Sequence, residues 1–211
     1  MGIAPDGSPV EVFAALPAGG VPALIHAQLL DGDEILELGC GAGRMTRALL
    51  DLGHRVTAVD NSAEMLALVD ARAESVEADI FALDLRRRFD CVIAGSYLVN
   101  QWPSVLLATC ARHVEPDGTI LVQRYSPEWA RAADVGEATV GAVTIRFDPI
   151  ACVNDRLRAT VTYTIEGAQW TQSIDAEVLD DDAICRQAGR LGLVLDGVID
   201  DAGEWLRLVR G

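Results

Sequence analysis

From Glu34 onward, apolar runs of strand length alternate with segments of helical period, the pattern of a parallel sheet covered by helices. Residues 34–38 (EILEL) predict a first strand, 44–52 a helix, 55–59 (RVTAV) a second strand, and 62–72 a helix capped by Asn61 or Ser62. The alternation continues with a short strand at 75–78, a fourth at 89–95 (FDCVIAG), a helix at 105–113, and a fifth strand at 118–124 (GTILVQR) after the turn Glu115-Pro116-Asp117-Gly118. Beyond Tyr125 the periodicity breaks at Ser126-Pro127-Glu128-Trp129. Three segments rich in Val, Thr and Ile follow, at 138–147, 157–165 and 170–178, whose alternation predicts antiparallel strands with a hairpin turn at Glu166-Gly167. Asp180-Asp181-Asp182 opens a helix closed by Gly192, and strands are expected at 194–199 and 205–209. The first thirty residues carry little signal beyond a helix near 21–30.

Composition narrows the class. Half of the 211 residues are hydrophobic and 23% are charged, enough apolar surface for a packed core. No apolar run reaches the roughly 20 residues of a membrane span, and residues 1–30 hold no Lys or Arg, so a cytoplasmic protein without a membrane partner is expected. The formal charge is −15 and all 17 cationic residues are Arg; such an acidic surface disfavours nucleic acid. Five cysteines form no Cys-x-x-Cys pair, and three scattered histidines show no ligand spacing, so reduced cysteines and no metal site are expected.

The chemistry concentrates in ILELGCGAG at 35–43, a buried strand entering a glycine-rich turn and then a helix. Such a turn lets a nucleotide-like ligand touch backbone amides at a helix N-terminus. A dinucleotide fingerprint counted from Gly39 would need its last glycine at position 44, where Arg44 stands. Asp60 ends the second strand, placed to accept hydrogen bonds from a ribose diol, and Asp79 follows the third at the same edge of the sheet. Asp60 also has a plainer reading as a helix cap, and the glycine-rich segment one as a structural tight turn.

On these residues the chain resembles the class I S-adenosylmethionine-dependent methyltransferases, over roughly residue 34 to the C-terminus. The resemblance implies an α/β fold with a Rossmann-like, seven-stranded, mostly parallel sheet, helices on both faces, and an antiparallel insertion near 138–178. It implies one domain, with a short cap at 1–33, a cofactor half at 34–125 and a substrate half at 126–211. S-adenosylmethionine would be the cofactor: Glu37, Gly39, Cys40, Gly41 and Gly43 would cradle its methionine and ribose, Asp60 and Asn61 the ribose, Asp79 and Ile80 the adenine, with Ser96 in the fourth-strand motif.

Methyl transfer is an in-line displacement for which alignment and exclusion of water suffice. Tyr97 and Trp102 would line the methyl channel and Asn100 would bond cofactor or substrate, although each suits packing or loop capping as well. Arg124 could clamp a carboxylate or close a strand-end salt bridge; Tyr125 or Glu128 could take a proton; Trp129 and Trp170 could face the substrate or the core. The Asn/Asp-Pro-Pro-Tyr/Phe motif of that family's amino-adenine enzymes does not follow the fourth strand, so the resemblance argues against base methylation and for a small molecule or a free peptide terminus, methylated at nitrogen or oxygen. With about thirty residues before the first strand, closure over the cofactor is partial or comes from a second copy in a homodimer. The rival readings are a non-catalytic S-adenosylmethionine-binding or interaction module, and an NAD-dependent oxidoreductase.

Overall fold

The computed structural model describes residues 2–132 and 134–211, and only the backbone of Pro149. Strands β1 (Glu34–Leu38), β2 (Arg55–Asp60), β3 (Glu74–Glu77), β4 (Phe89–Ala94), β5 (Val114–Gln123), β10 (Leu193–Val198) and β11 (Trp205–Arg210) form one sheet in the order β10-β11-β5-β4-β1-β2-β3. β1 to β5 are parallel, and β11 runs antiparallel to both β5 and β10. Because β1 lies between β2 and β4, successive crossovers leave in opposite directions there, which opens a crevice outside the carboxyl ends of the strands. The central strands read as continuous apolar runs because helices cover both faces: Ile35, Leu36, Leu38, Val92 and Ile93 are all fully buried.

Helices α1 (Val10–Ala15), α2 (Val21–His26), α3 (Arg44–Asp51), α4 (Ala63–Leu66), α5 (Pro103–His113), α6 (Pro127–Ala132) and α7 (Asp181–Gly189) complete the chain. The expected helix at 62–72 is a single turn. Ser62 caps it, its hydroxyl accepting from the Met65 N–H at 3.3 Å. The backbone then tightens, with Leu68 N–H and Val69 N–H bonding three residues back, and the Asp70 carboxylate takes the Arg72 N–H at 3.0 Å, competing with helical bonding. The expected turn at 115–118 lies inside β5 as an irregularity: Phe89 pairs with Val114 but Cys91 with Thr119, so three additional residues bulge from β5. α1 carries too few residues to register as a period among the surrounding glycines and prolines.

The insertion holds four strands where three were expected. β6 (Gly136–Val140), β7 (Val143–Val153), β8 (Arg156–Ile165) and β9 (Ala168–Glu177) form a separate antiparallel sheet, because a turn at Gly141 and Ala142 splits the first predicted strand. The later hairpins turn at Asn154-Asp155 and at Glu166-Gly167, all four residues at positive φ, the backbone of two-residue turns that match strand twist. One face of this sheet is apolar and makes two contacts. At one end Val143, Val161 and Tyr163 pack on Val12 and Leu16 beside α1; at the other Leu157 and Ala176 pack on Tyr125 and Ala130. The second sheet is thereby held between the N-terminal segment and the carboxyl edge of the first.

Three of the five cysteines (Cys40, Cys91, Cys110) are buried, Cys152 is partly so, and Cys185 lies exposed on α7. Among the described residues no helix is long and apolar enough to cross a membrane.

Candidate functional site

The glycine turn lies at the carboxyl end of β1. Gly39 and Cys40 N–H both donate to the Val59 carbonyl, at 2.8 and 3.0 Å, tying the turn to β2. Two glycines combine a positive φ with close packing. At Gly39, with φ +67°, a Cβ would stand 2.6 Å from Leu98 Cδ1; at Gly43, with φ +75°, it would stand 3.1 Å from the Val69 backbone. The close approach that a dinucleotide motif assigns to its last glycine is therefore made by Gly43, and Arg44 begins α3 instead. Beside Gly41 the nearest atom to a Cβ would be Met65 Sδ at 4.0 Å, which leaves open space on the ligand side of the turn. Cys40 points inward, its Sγ donating to the Gly41 carbonyl at 3.5 Å, and burial pushes its thiol pKa up, so its contribution to the turn is through the backbone.

Glu37 is buried beneath this turn with 2% of its surface exposed. Thr46 Oγ1 donates to its carboxylate at 2.6 Å. Burial raises the Glu37 pKa from 4.5 to about 7, opposed by the Thr46 hydrogen bond and by the charge of Arg44. Asp60, at the end of β2, receives the Gly41 N–H on one oxygen at 2.8 Å and the Ser62 N–H on the other at 3.0 Å. Each oxygen keeps a lone pair for a ligand while the carboxylate locks the glycine turn to the start of α4. Asn61 beside it is exposed, as is Asp79 after β3, whose side chain accepts the Phe81 N–H at 2.9 Å. Ile80 is buried in the main core. The exposed Trp102 meets Phe81 edge-on, with ring centroids 4.7 Å apart.

After β4 the backbone turns sharply, with Ser96 and Tyr97 both at positive φ (53° and 60°). These non-glycine residues are held there by a polar network. Ser96 N–H donates to Gln123 Oε1 at 2.9 Å, Gln123 Nε2 donates to Glu204 Oε2 at 3.0 Å, and the Tyr97 hydroxyl donates to the same oxygen at 3.3 Å. Burial and the neighbouring Glu204 charge push the Tyr97 pKa up. Its ring stacks on Tyr125 at 4.1 Å between centroids, Tyr125 stacks on Trp129 at 5.6 Å, and Trp129 meets Phe147 edge-on at 5.3 Å. This ladder connects the crevice to the underside of the second sheet. Glu204, Gln123 and Phe147 were not legible as site residues, since the network joins residues 81 and 107 positions apart.

Other expected site residues are drawn into the framework. Arg124 is buried: its Nε and Nη1 donate to the carbonyls of Gly203 and Leu179 at 3.1 and 2.9 Å, and Nη2 lies 2.7 Å from Asp181. This leaves no free face for a carboxylate clamp and matches the salt-bridge reading. Asn100 is fully buried, its Nδ2 donating to the Glu177 carbonyl at 2.7 Å and its Oδ1 accepting the Tyr125 N–H at 3.0 Å, so it clips β5 to the end of β9. Trp170 packs with Tyr163 and Val12 at the far end of the second sheet, and Glu128 is exposed on α6. His26 and His54 pair with each other at 2.9 Å, and His54 lies at the opposite, amino end of β2. Among the described residues no group of three or more His, Cys, Asp or Glu is placed to hold a metal. A cleft of about 360 Å³ opens on the outer flank of the turn beside Leu16, Pro17, Gly43 and Arg44. Arg44 leans across it, donating to the Pro17 carbonyl at 3.2 Å.

An open, mostly parallel sheet with a glycine turn after its first strand and acids at or just beyond the ends of its second and third has the Rossmann-like arrangement, in which ligands sit at the carboxyl edge. Residues 35–118 match a family model described as a methyltransferase domain. The chain is 33% identical over 128 residues to the cypemycin N-terminal methyltransferase of a Streptomyces species, which covers 55% of this chain and 52% of that protein. The chain thus spans about half the length of the curated relatives it matches. Among solved structures it superposes on the CcbJ methyltransferase of Streptomyces caelestis with a TM-score of 0.74 and 20% identity, over 93% of this chain and 91% of that one. It superposes equally broadly on S-adenosylmethionine-bound CalS10 of Micromonospora echinaspora, an amino pentose methyltransferase, with a TM-score of 0.71 and 18% identity, covering 97% and 93%.

Proposed function

We propose that this chain binds S-adenosylmethionine and transfers its methyl group to a nitrogen or oxygen of a small molecule. The observation that carries the reading is the row formed by the turn at Gly39 and Gly41, Asp60, and Asp79 with Ile80, at the ends of three adjacent strands, with the buried carboxyl of Glu37 beneath the turn. The open space beside Gly41 and the lone pairs of Asp60 fit a ribose; Ile80 and Phe81 offer an apolar edge to an adenine. When bound, S-adenosylmethionine supplies a sulfonium whose methyl is displaced in line. The residues of the chain orient the two partners, exclude water through the aromatic ladder, and hold the Ser96-Tyr97 turn in a single shape. The relative named as an N-terminal methyltransferase supports nitrogen as the acceptor. The same reading makes this a cytoplasmic enzyme of one domain whose closure a second copy would assist.

Calorimetric titration with S-adenosylmethionine, S-adenosylhomocysteine and NAD tests it. Binding of the first two and not the third is expected; NAD binding alone would sink the proposal. Asp60→Ala should weaken S-adenosylhomocysteine binding by about 1–3 kcal/mol, since it removes a charged acceptor. It also strands the Gly41 and Ser62 amides, and unchanged affinity would displace the site.

Tyr125 is not assigned the role of base. Its hydroxyl has no hydrogen-bond partner among the described residues, and burial raises its pKa, so it stays protonated near neutrality. Turnover of Tyr125→Phe is expected to keep the wild-type pH profile; a loss on the order of 100-fold would reinstate it as a proton acceptor.

A further inference from the structure

The hydrogen-bond directions around Tyr97 follow from one fixed point. A backbone N–H can only donate, so Ser96 N–H makes Gln123 Oε1 the acceptor, which turns Gln123 Nε2 toward Glu204 as donor. Glu204 Oε2 accepts from both Gln123 and Tyr97. The single hydrogen of the Tyr97 hydroxyl is therefore committed to Glu204, and the phenol oxygen can offer only lone pairs to anything in the crevice. Glu204 sits in the turn between β10 and β11, and because Trp205 pairs with Gln123 this turn lies at the carboxyl edge of the sheet. Its backbone is held in turn by Asp200, whose Oδ1 accepts the Glu204 and Trp205 N–H groups at 3.0 and 2.9 Å.

The strand order places this oxygen. If adenine lies over β3 and ribose over β2, the rest of the cofactor extends across β1 toward β4, whose next residues are Gly95, Ser96 and Tyr97. Leu98 already lies against Gly39 of the turn. The geometry points to Glu204 as a positioning residue that acts through Tyr97, setting the methyl-transfer position to receive an acceptor group that carries a hydrogen, N–H or O–H. A donor placed on the Tyr97 oxygen turns its own lone pair away from the ring and toward the methyl, and the Glu204 carboxylate behind the phenol favours positive charge on that group. An acceptor atom without a hydrogen would meet lone pair against lone pair. The three side chains divide the work, since Gln123 sets the direction of the bonds, Glu204 supplies the charge and Tyr97 presents the oxygen.

This inference rests on the cofactor reading above, and the test separates the two. The probe is sinefungin, which carries a primary ammonium where S-adenosylmethionine carries its sulfonium methyl, compared with S-adenosylhomocysteine, which has no group there. The readout is the ratio of their dissociation constants in the full chain, so no methyl acceptor is needed and any general weakening of the site cancels. In wild type the ratio should favour sinefungin. In Glu204→Gln and in Tyr97→Phe it should shift against sinefungin by about tenfold, the size of one charge-assisted hydrogen bond. The double variant should shift it no further, because both groups act on one path. A ratio unchanged in Glu204→Gln, or two shifts that multiply in the double variant, overturns the inference while leaving the cofactor reading intact. Failure of wild type to bind S-adenosylhomocysteine overturns both.

Discussion

Glu37→Gln is expected to abolish the pH dependence of cofactor binding and to flatten that of stability. The wild-type carboxyl is buried, and its pKa is raised from 4.5 to about 7 by that burial. A carboxyl whose pKa is higher folded than unfolded binds a proton on folding. Its stabilising contribution is therefore complete below about pH 4.5 and is lost as pH rises through about 7. At pH 8 the ionised group destabilises the empty protein by on the order of 3 kcal/mol, each pKa unit corresponding to about 1.4 kcal/mol. Glutamine can keep the 2.6 Å bond with Thr46 without the charge, so the melting temperature of the variant should stay level between pH 5 and about 8 where that of wild type falls. Binding has the opposite sign. A ligand ammonium near Glu37 favours its ionised form, so affinity for S-adenosylhomocysteine should rise through pH 7 with release of a proton, measurable as a heat that depends on the buffer. In the variant affinity should drop by about 1.5–3 kcal/mol. Affinity that does not vary with pH in wild type would remove Glu37 from the ligand.

Arg124→Met is expected to lower stability by about 2–4 kcal/mol and to leave the affinity for S-adenosylhomocysteine within about twofold, since no cofactor contact is assigned to it. The guanidinium, 4% exposed, joins the Gly203 carbonyl in the β10–β11 turn, the Leu179 carbonyl before α7, and Asp181 within α7. Methionine fills much of the volume but strands two carbonyls. The ion pair contributes the smaller share, because Asp181 is 59% exposed and well solvated. Chemical denaturation reads the loss. An unchanged unfolding midpoint would return Arg124 to the substrate-binding candidates, and Asp181→Asn, which removes only the exposed partner, should cost well under half as much.

Arg124 shows where pattern reading stops, and the glycine turn shows how far it reaches. Gly39, Gly43 and Asp60 are local to strand ends and turns, and their places follow from short spacing: a buried strand, a turn with residues at positive φ, an acid at the next strand end. Arg124 and Asn100 also stand at strand and loop ends, where a free side chain would reach a ligand. The structure draws both inward, Arg124 onto residues 55 and 79 positions away and Asn100 onto one 77 away. Burial of a polar side chain demands partners, and those partners lie on segments whose placement no local pattern encodes.

The pattern of apolar and polar residues along this chain was sufficient for the strands and helices of the main sheet and for an antiparallel insertion, though with three strands in place of four, because periodicity and turn chemistry act within a few residues. The glycine spacing weighed against a dinucleotide site, since Arg44 occupies the position that a third glycine would need, and left it as a rival reading. Other features arose only on folding. The second sheet packs against the chain just beyond β5 through Tyr125, Leu157 and Ala176. The Ser96-Tyr97 turn takes its shape from Gln123 and Glu204. The Glu37 pKa moves to about 7 because the fold excludes water from it. Each is a long-range event whose energy depends on which atoms are brought together and what solvent they lose, and these are properties of the packed chain.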